Sequence, residues 1–122
     1  MSNFVVQAQR RDPLTVYGDG RQTRSLCYAS DSVAGVIALL DSDVVDPVNI
    51  GIPEEFTLSE LAQIAIRLTG TTSPIVHEPL PQDDSIRRWP DIERSTTRLG
   101  CHPREFPRGP SLHTIVWFRS EV

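Results

Sequence analysis

Two stretches of the chain gather side chains able to hold an anion. In the first, LTVYGDGRQTRSLCYASD over residues 14–31, a Gly18-Asp19-Gly20 turn leads into Arg21-Gln22-Thr23-Arg24. Guanidinium, amide and hydroxyl donors surround a glycine turn whose backbone N–H groups can also point at negative charge. In the second, PLPQDDSIRRWPD over residues 79–91, prolines stiffen a loop that is acidic first and basic later, with Arg87-Arg88 near its end. Arginine presents a planar fork of donors matched to phosphate or carboxylate oxygens. A stiffened loop also loses less entropy on meeting a ligand. Arg24 and the pair Arg87-Arg88 are therefore the leading candidates. From spacing alone, a solvated arginine or an ion pair to Asp83 or Asp84 is the commoner arrangement.

Other chemistries find less support. Tyr17 and Tyr28 could meet a ring or a ribose, or could equally be half-buried core tyrosines. Gly18-x-Gly20 lacks the third glycine and the following helix of a dinucleotide fingerprint. Asp83-Asp84 has the composition of an acid–base pair, but adjacent loop carboxylates are usually solvated. No Ser-His-Asp or Cys-His arrangement has positional support. His77, His102 and His113 show no metal-ligand spacing among themselves or with Cys27 and Cys101.

Composition narrows the class. The 122 residues are 39% hydrophobic and 23% charged, which fits one ordinary globular domain with a modest core. A formal net charge of −4 argues against a general nucleic-acid binder. No apolar run approaches the roughly 20 residues of a membrane span, and the N-terminus lacks the pattern of a signal peptide. Together with two cysteines read as free thiols, this leads to the expectation of a cytoplasmic protein.

The elements that must position these residues can be read from periodicity. Phe4, Val5 and Ala8 share a helical face, like the last turns of a helix, which Asp12-Pro13 ends. Residues 14–17 alternate as a strand. Asp31 is expected to cap a helix with Val33, Val36, Ile37 and Leu40 on its apolar stripe. Residues 48–51 read as a short strand. Thr57-Leu58-Ser59-Glu60 is a capping box for a helix that buries Leu58, Leu61, Ala65 and Leu68 and stops at Gly70. Ile75-Val76-His77 is a further strand. Asp91 and Ser111 are expected to cap two last helices, the second burying Leu112, Ile115 and Val116. Helices alternating with short strands give an α/β class, though the strands are few for a self-contained sheet.

Three segments carry a resemblance. PLTVYGDGRQTRSLCYASD, PVNIGIPEEFTLSELA and PLPQDDSIRRWPDIERSTTRLG together resemble the C-terminal part of UDP-glucuronate decarboxylases, nucleotide-sugar enzymes of the extended short-chain dehydrogenase/reductase family. The resemblance runs from Ser2 to Phe118. It implies the substrate-binding part of such an enzyme, with residues 48–51 as an edge strand of an otherwise missing Rossmann cofactor sheet. Residues 14–17 and 75–76 would belong to the small substrate domain. It also implies, for the intact enzyme, a bound NAD that oxidises C4 of the sugar. Loss of the C5 carboxylate as CO2 and reduction to UDP-xylose would follow. Carried over residue by residue, Arg24 and Arg88 would lie by the UDP pyrophosphate, Tyr17 and more loosely Gln22 would line the nucleotide end, and Asp31 and Asp91 would be helix caps.

The chain departs from the family's pattern in ways that matter. The Gly-rich dinucleotide loop, the Tyr-x-x-x-Lys pair and the catalytic Ser/Thr are not in this sequence, so no NAD binding or turnover is expected of these residues alone. Ile52 stands where the family usually has Asn, Ser85 where it has Pro, Cys101 where it has Trp, and Pro110 where it has Gly. The last two imply relaxed packing near the C-terminus. An unpaired strand edge and uncovered helix faces would make the piece marginal or aggregation-prone. Other family activities, 4-epimerase or 4,6-dehydratase, stay open. So does a non-catalytic module that binds UDP-sugars weakly or associates with a full-length relative, a reading that Met1 within the family's sequence favours.

Overall fold

The structure, a computed structural model, describes residues 1–82, 84, 86–102 and 108–121, with side chains except at 108–111. Its centre is a parallel pair of strands, β1 (Leu14–Tyr17) and β4 (Ile75–Glu78), aligned from Leu14 opposite Ile75 to Tyr17 opposite Glu78. Strand alternation sends Leu14 and Val16 inward, both with no exposed surface. They meet α1 (Ser2–Arg10) through Phe4 and Ala8, and α3 (Leu58–Thr69) through Leu61, Ala62 and Ala65. Ile52 closes the same core. Of the side chains that helical periodicity assigned inward, Phe4, Ala8, Leu61 and Ala65 meet here with Leu58 packed against them. Val5 is buried outside this cluster, Leu68 is half-buried, and Ala62 joins without having been assigned.

A second sheet is small. β2 (Thr23–Arg24) lies between β3 (Phe56–Thr57), antiparallel to it, and β5 (Arg87–Arg88), parallel to it. The remaining helices are α2 (Ala29–Leu40), α4 (Glu93–Leu99) and α5 (Arg108–Glu121). Among the described residues no helix is long and apolar enough to cross a membrane.

Local signals set most boundaries. Thr57 Oγ1 accepts from Glu60 N at 3.1 Å while the Glu60 carboxylate accepts from Thr57 N at 2.8 Å, the reciprocal capping box. Gly70 ends α3 in the left-handed conformation at φ 70°. Gly100 does the same for α4, whereas α1 ends on Arg11 at φ 61°.

Several expectations need correction. Residues 48–51 form no strand here: a ladder needs a neighbour, and none of the described residues pairs with them. Asp31 sits inside the first turn of α2, which starts at Ala29, so its charge favours the helix dipole without being the N-cap. Asp91 works as a cap one residue early, its Oδ1 accepting from Glu93 N at 3.0 Å while Ile92 holds the N-cap position. α5 begins at Arg108, which places Ser111 inside it, and of its expected buried face only Ile115 is buried. Leu112 and Val116 are 48% and 63% exposed. Asp83 and Ser85 lie outside the described residues.

The largest departure is the face of α2. Val33, Val36, Ile37 and Leu40 form the expected stripe, yet they are 57%, 49%, 52% and 78% exposed. What α2 does bury is Gly35, against Ile50; a Cβ there would stand 2.6 Å from Ile50 Cγ2. The helix thus rests on its glycine side and turns its apolar side outward. A monomer rarely exposes such a contiguous patch.

Two substitutions should separate the core from this face. Leu61→Ala, in the core, is expected to cost about 3 kcal/mol in urea unfolding. Ile37→Ser should change stability by no more than about 0.5 kcal/mol while reducing self-association in light scattering. A large stability loss for Ile37→Ser would show that the face is covered in solution.

Candidate functional site

The glycine turn docks on the start of α3. Gly18 and Gly20 hold φ of 71° and 76°, and a Cβ on Gly20 would lie 2.1 Å from Ser59 Oγ. That close approach lets the Gly20 carbonyl accept from Ser59 N at 3.2 Å and the Gln22 carbonyl accept from Leu58 N at 3.1 Å. The turn therefore supplies the acceptors that the first N–H groups of α3 need. Its own donors are engaged as well: Gly18 N–H with Glu78 O, Arg21 N–H with Asp19 Oδ1, and Thr23 N–H with Ile86 O. These bonds take up three of the N–H groups in and beside the turn.

β2 and β5 bring those arginines together. Arg24 and Arg88, far apart in sequence, are register partners on adjacent parallel strands, as are Thr23 and Arg87. Neighbouring strands run about 4.8 Å apart, and alternation puts each in-register pair on its own face. Arg24 and Arg88 thus share one face. Arg24 is held there by an ion pair of Nη2 with Asp84 Oδ1 at 2.5 Å, and its Nη1 donates to Thr23 O at 2.8 Å. Of the two arrangements left open by spacing, the ion pair with Asp84 is the one seen for Arg24. An anionic ligand at this guanidinium competes with that carboxylate.

On the other face, Glu55 joins all three strands. Its Oε1 accepts from Thr23 Oγ1 at 2.8 Å and from Arg87 Nε at 2.8 Å, and its Oε2 from Arg87 Nη2 at 2.5 Å. The Arg87 hydrogen bond first, then the Thr23 hydroxyl, hold the Glu55 carboxyl below its ordinary range, and the same pairing raises Arg87. The Arg87 guanidinium also lies 5.4 Å from the centre of the Trp89 ring, whose Nε1–H donates to Pro53 O at 2.9 Å. This network was not foreseen. Glu55 and Arg87 are distant in sequence, and no local pattern links them before β2 is seen between β3 and β5.

An open cavity of about 470 Å³ borders the sheet, lined by Arg87, Arg88, Trp89 and Pro90 on one side and Ser25, Cys27, Ile50 and Gly51 on the other. Of the four sequence-selected residues only Arg88 lines it; Arg24, Tyr17 and Gln22 do not. Tyr17 ends β1 and is 45% exposed. Gln22 is 5% exposed and donates its amide to Tyr17 O at 2.5 Å, so it braces the turn and reaches no solvent-facing ligand as it stands. By strand register Arg24 neighbours Arg88, and by hydrogen bonding Gln22 neighbours Tyr17. Tyr28 instead faces His113 of α5, ring centres 6.2 Å apart. Among the described residues no group of His, Cys, Asp and Glu could hold a metal.

Comparison with known proteins places this arrangement. The sequence pattern of the NAD dependent epimerase/dehydratase family matches residues 1–51. UDP-glucuronic acid decarboxylase 1 of Arabidopsis thaliana is 44% identical over 122 residues, all of this chain and 28% of that protein. UDP-glucuronic acid decarboxylase 1 of Danio rerio is 46% identical over 123 aligned residues, again all of this chain and 29% of that protein. The chain thus spans under a third of the length of these relatives. Among solved structures, MoeE5 in complex with UDP-glucuronic acid and NAD superposes with a TM-score of 0.82 at 26% identity, covering 97% of this chain and 40% of that one.

Acid should loosen the β3–β2–β5 sheet. A Glu whose folded pKa is depressed contributes stability that is present above its unfolded pKa, about 4.3, and is lost as pH falls through the folded value. The thermal midpoint is therefore expected to drop as pH is lowered through this range, with a shallower drop for Glu55→Gln. Identical slopes for the two proteins would show that the Glu55 pairing carries no folding linkage. The chain is thus similar along its whole length to the UDP-glucuronic acid decarboxylases, over residues 1–51 to the NAD dependent epimerase/dehydratase family, and in fold to MoeE5.

Proposed function

We propose that these 122 residues are the C-terminal, nucleotide-sugar-binding portion of an NAD-dependent UDP-glucuronate decarboxylase, and that Arg24 and Arg88 grip the diphosphate of UDP. The observation that carries this reading is their in-register pairing on β2 and β5. Two guanidiniums side by side on one sheet face repel unless negative charge lies between them. Each can make bidentate, charge-assisted bonds to a phosphate. Asp84 already sits at one of them as a carboxylate where the phosphate would go. Tyr17 lines the nucleotide end, and Gln22 holds the Tyr17 backbone in place.

The cofactor belongs elsewhere. When bound, NAD would take and return a hydride at the sugar, but the residues here do not fit it: the sequence has no Gly-rich strand-to-helix loop and no Tyr-x-x-x-Lys. No step through NAD is assigned to this chain. Its own part is to bind and orient the sugar nucleotide, and without the remainder it is expected not to turn substrate over. The outward stripe of α2 and the unpaired run 48–51 support this division, since a cofactor sheet would cover the first and pair with the second. The same stripe is the feature that favours a second reading, a module that docks on a full-length relative. A cytoplasmic location rests on the unbridged thiols of Cys27 and Cys101.

Calorimetric titration of UDP into the chain tests the site. Measurable binding is expected, weakened about tenfold by Arg24→Ala and by Arg88→Ala. Equal affinities for wild type and both variants would remove these residues from the site.

A further inference from the structure

A second concentration of positive charge lies where α1 and α3 end. A cavity of about 440 Å³ is lined by Arg10, Arg11 and Arg119, with Gln9, Gly70 and Thr71 between them, and shares no residue with the cavity beside Arg88. No carboxylate is among its lining residues, and none of the three guanidiniums has an ion pair with a described residue. That is unusual in a chain of net charge −4.

Arginines near helix C-termini commonly serve the last carbonyls. Here other groups already do. Arg11 N–H and Asp12 N–H bond the carbonyls of Ala8 and Gln7 at 3.3 and 2.9 Å, and Gly70 N–H bonds that of Ile66 at 2.9 Å. The Thr69 hydroxyl takes that of Ala65 at 2.7 Å. Each helix end contributes roughly half a negative charge, so the ends of α1, α3 and α5 together offset about half of the three guanidinium charges. The cavity is left electropositive.

The frame holding these charges is fixed. Gln9 donates its amide to the Ile115 carbonyl at 2.9 Å, tying α1 to α5 and so Arg10 to the helix that carries Arg119. The oxygen of that amide is buried with no partner, the one such side-chain atom found among the described residues. That oxygen is an acceptor and calls for a donor such as water, so the attraction for an anion rests on the three guanidiniums.

We infer that this cavity is a binding site for a multivalent phosphate anion, held by Arg10, Arg11 and Arg119 and separate from the proposed UDP site. Pyrophosphate is the probe. Titrated at low ionic strength into the chain, it is expected to shift the backbone amide resonances of Gly70 and Thr71. The double variant Arg10→Gln/Arg119→Gln should weaken this binding about tenfold or more. Arg24→Gln should leave it unchanged, which separates this inference from the UDP reading. Both arginines of the double variant are exposed, so folding should survive, with far-UV circular dichroism as the check. Unmoved Gly70 and Thr71 resonances in the wild type, or binding lost in Arg24→Gln and retained in the double variant, would overturn the proposal.

Discussion

The N-terminus of α3 is the constraint on which the rest depends. Its first N–H groups are met from two directions: by the Thr57–Glu60 capping box within the helix, and by the carbonyls of Gly20 and Gln22 from the turn after β1. This second contact decides where the chain goes next. It demands a left-handed backbone at Gly20, φ 76°, which L side chains rarely adopt. It then delivers β2 directly beside β3, because Leu58 follows Thr57, the register partner of Thr23. Once β2 is placed, β5 can add to its other side and Arg88 comes to lie beside Arg24. A helix cap, a glycine and a pair of arginines form one chain of cause.

The same arrangement shows how the molecule divides its stability from its chemistry. The apolar core joins α1, α3 and β1 through side chains at most 6% exposed. The β3–β2–β5 sheet has strands of two residues each and rests on polar links: Glu55 to Thr23 and Arg87, Arg24 to Asp84, Trp89 to Pro53. Such links add less net stability than burial does. The core beneath is held by burial.

Much of the fold was legible in the sequence because its causes are local. The capping box, Gly70 as a stop, Pro13 after α1, and the alternation in β1 each follow from neighbouring residues, and each appears in the structure. The outward stripe of α2 shows the limit of periodicity. Val33, Val36, Ile37 and Leu40 announce a buried face correctly as a pattern, but the pattern does not say what covers it. Residues 48–51 fail as a strand for a related reason, since pairing depends on a partner and not on the run itself. Arginine chemistry singled out Arg24 and Arg88, which the fold sets side by side, but the contact of the glycine turn with α3 was not legible. Donors and acceptors in a turn look alike in sequence, and only the fold shows that its carbonyls face α3. Gln22, chosen for its amide, is buried against Tyr17 for the same reason.

The central claim is that two arginines on adjacent strands recognise a diphosphate. Comparing uridine, UMP and UDP as ligands for the same chain measures this most directly, because the three differ only in phosphate. The account predicts that affinity rises steeply with each phosphate and falls with added salt. Uridine binding as tightly as UDP, with no salt dependence, would contradict it.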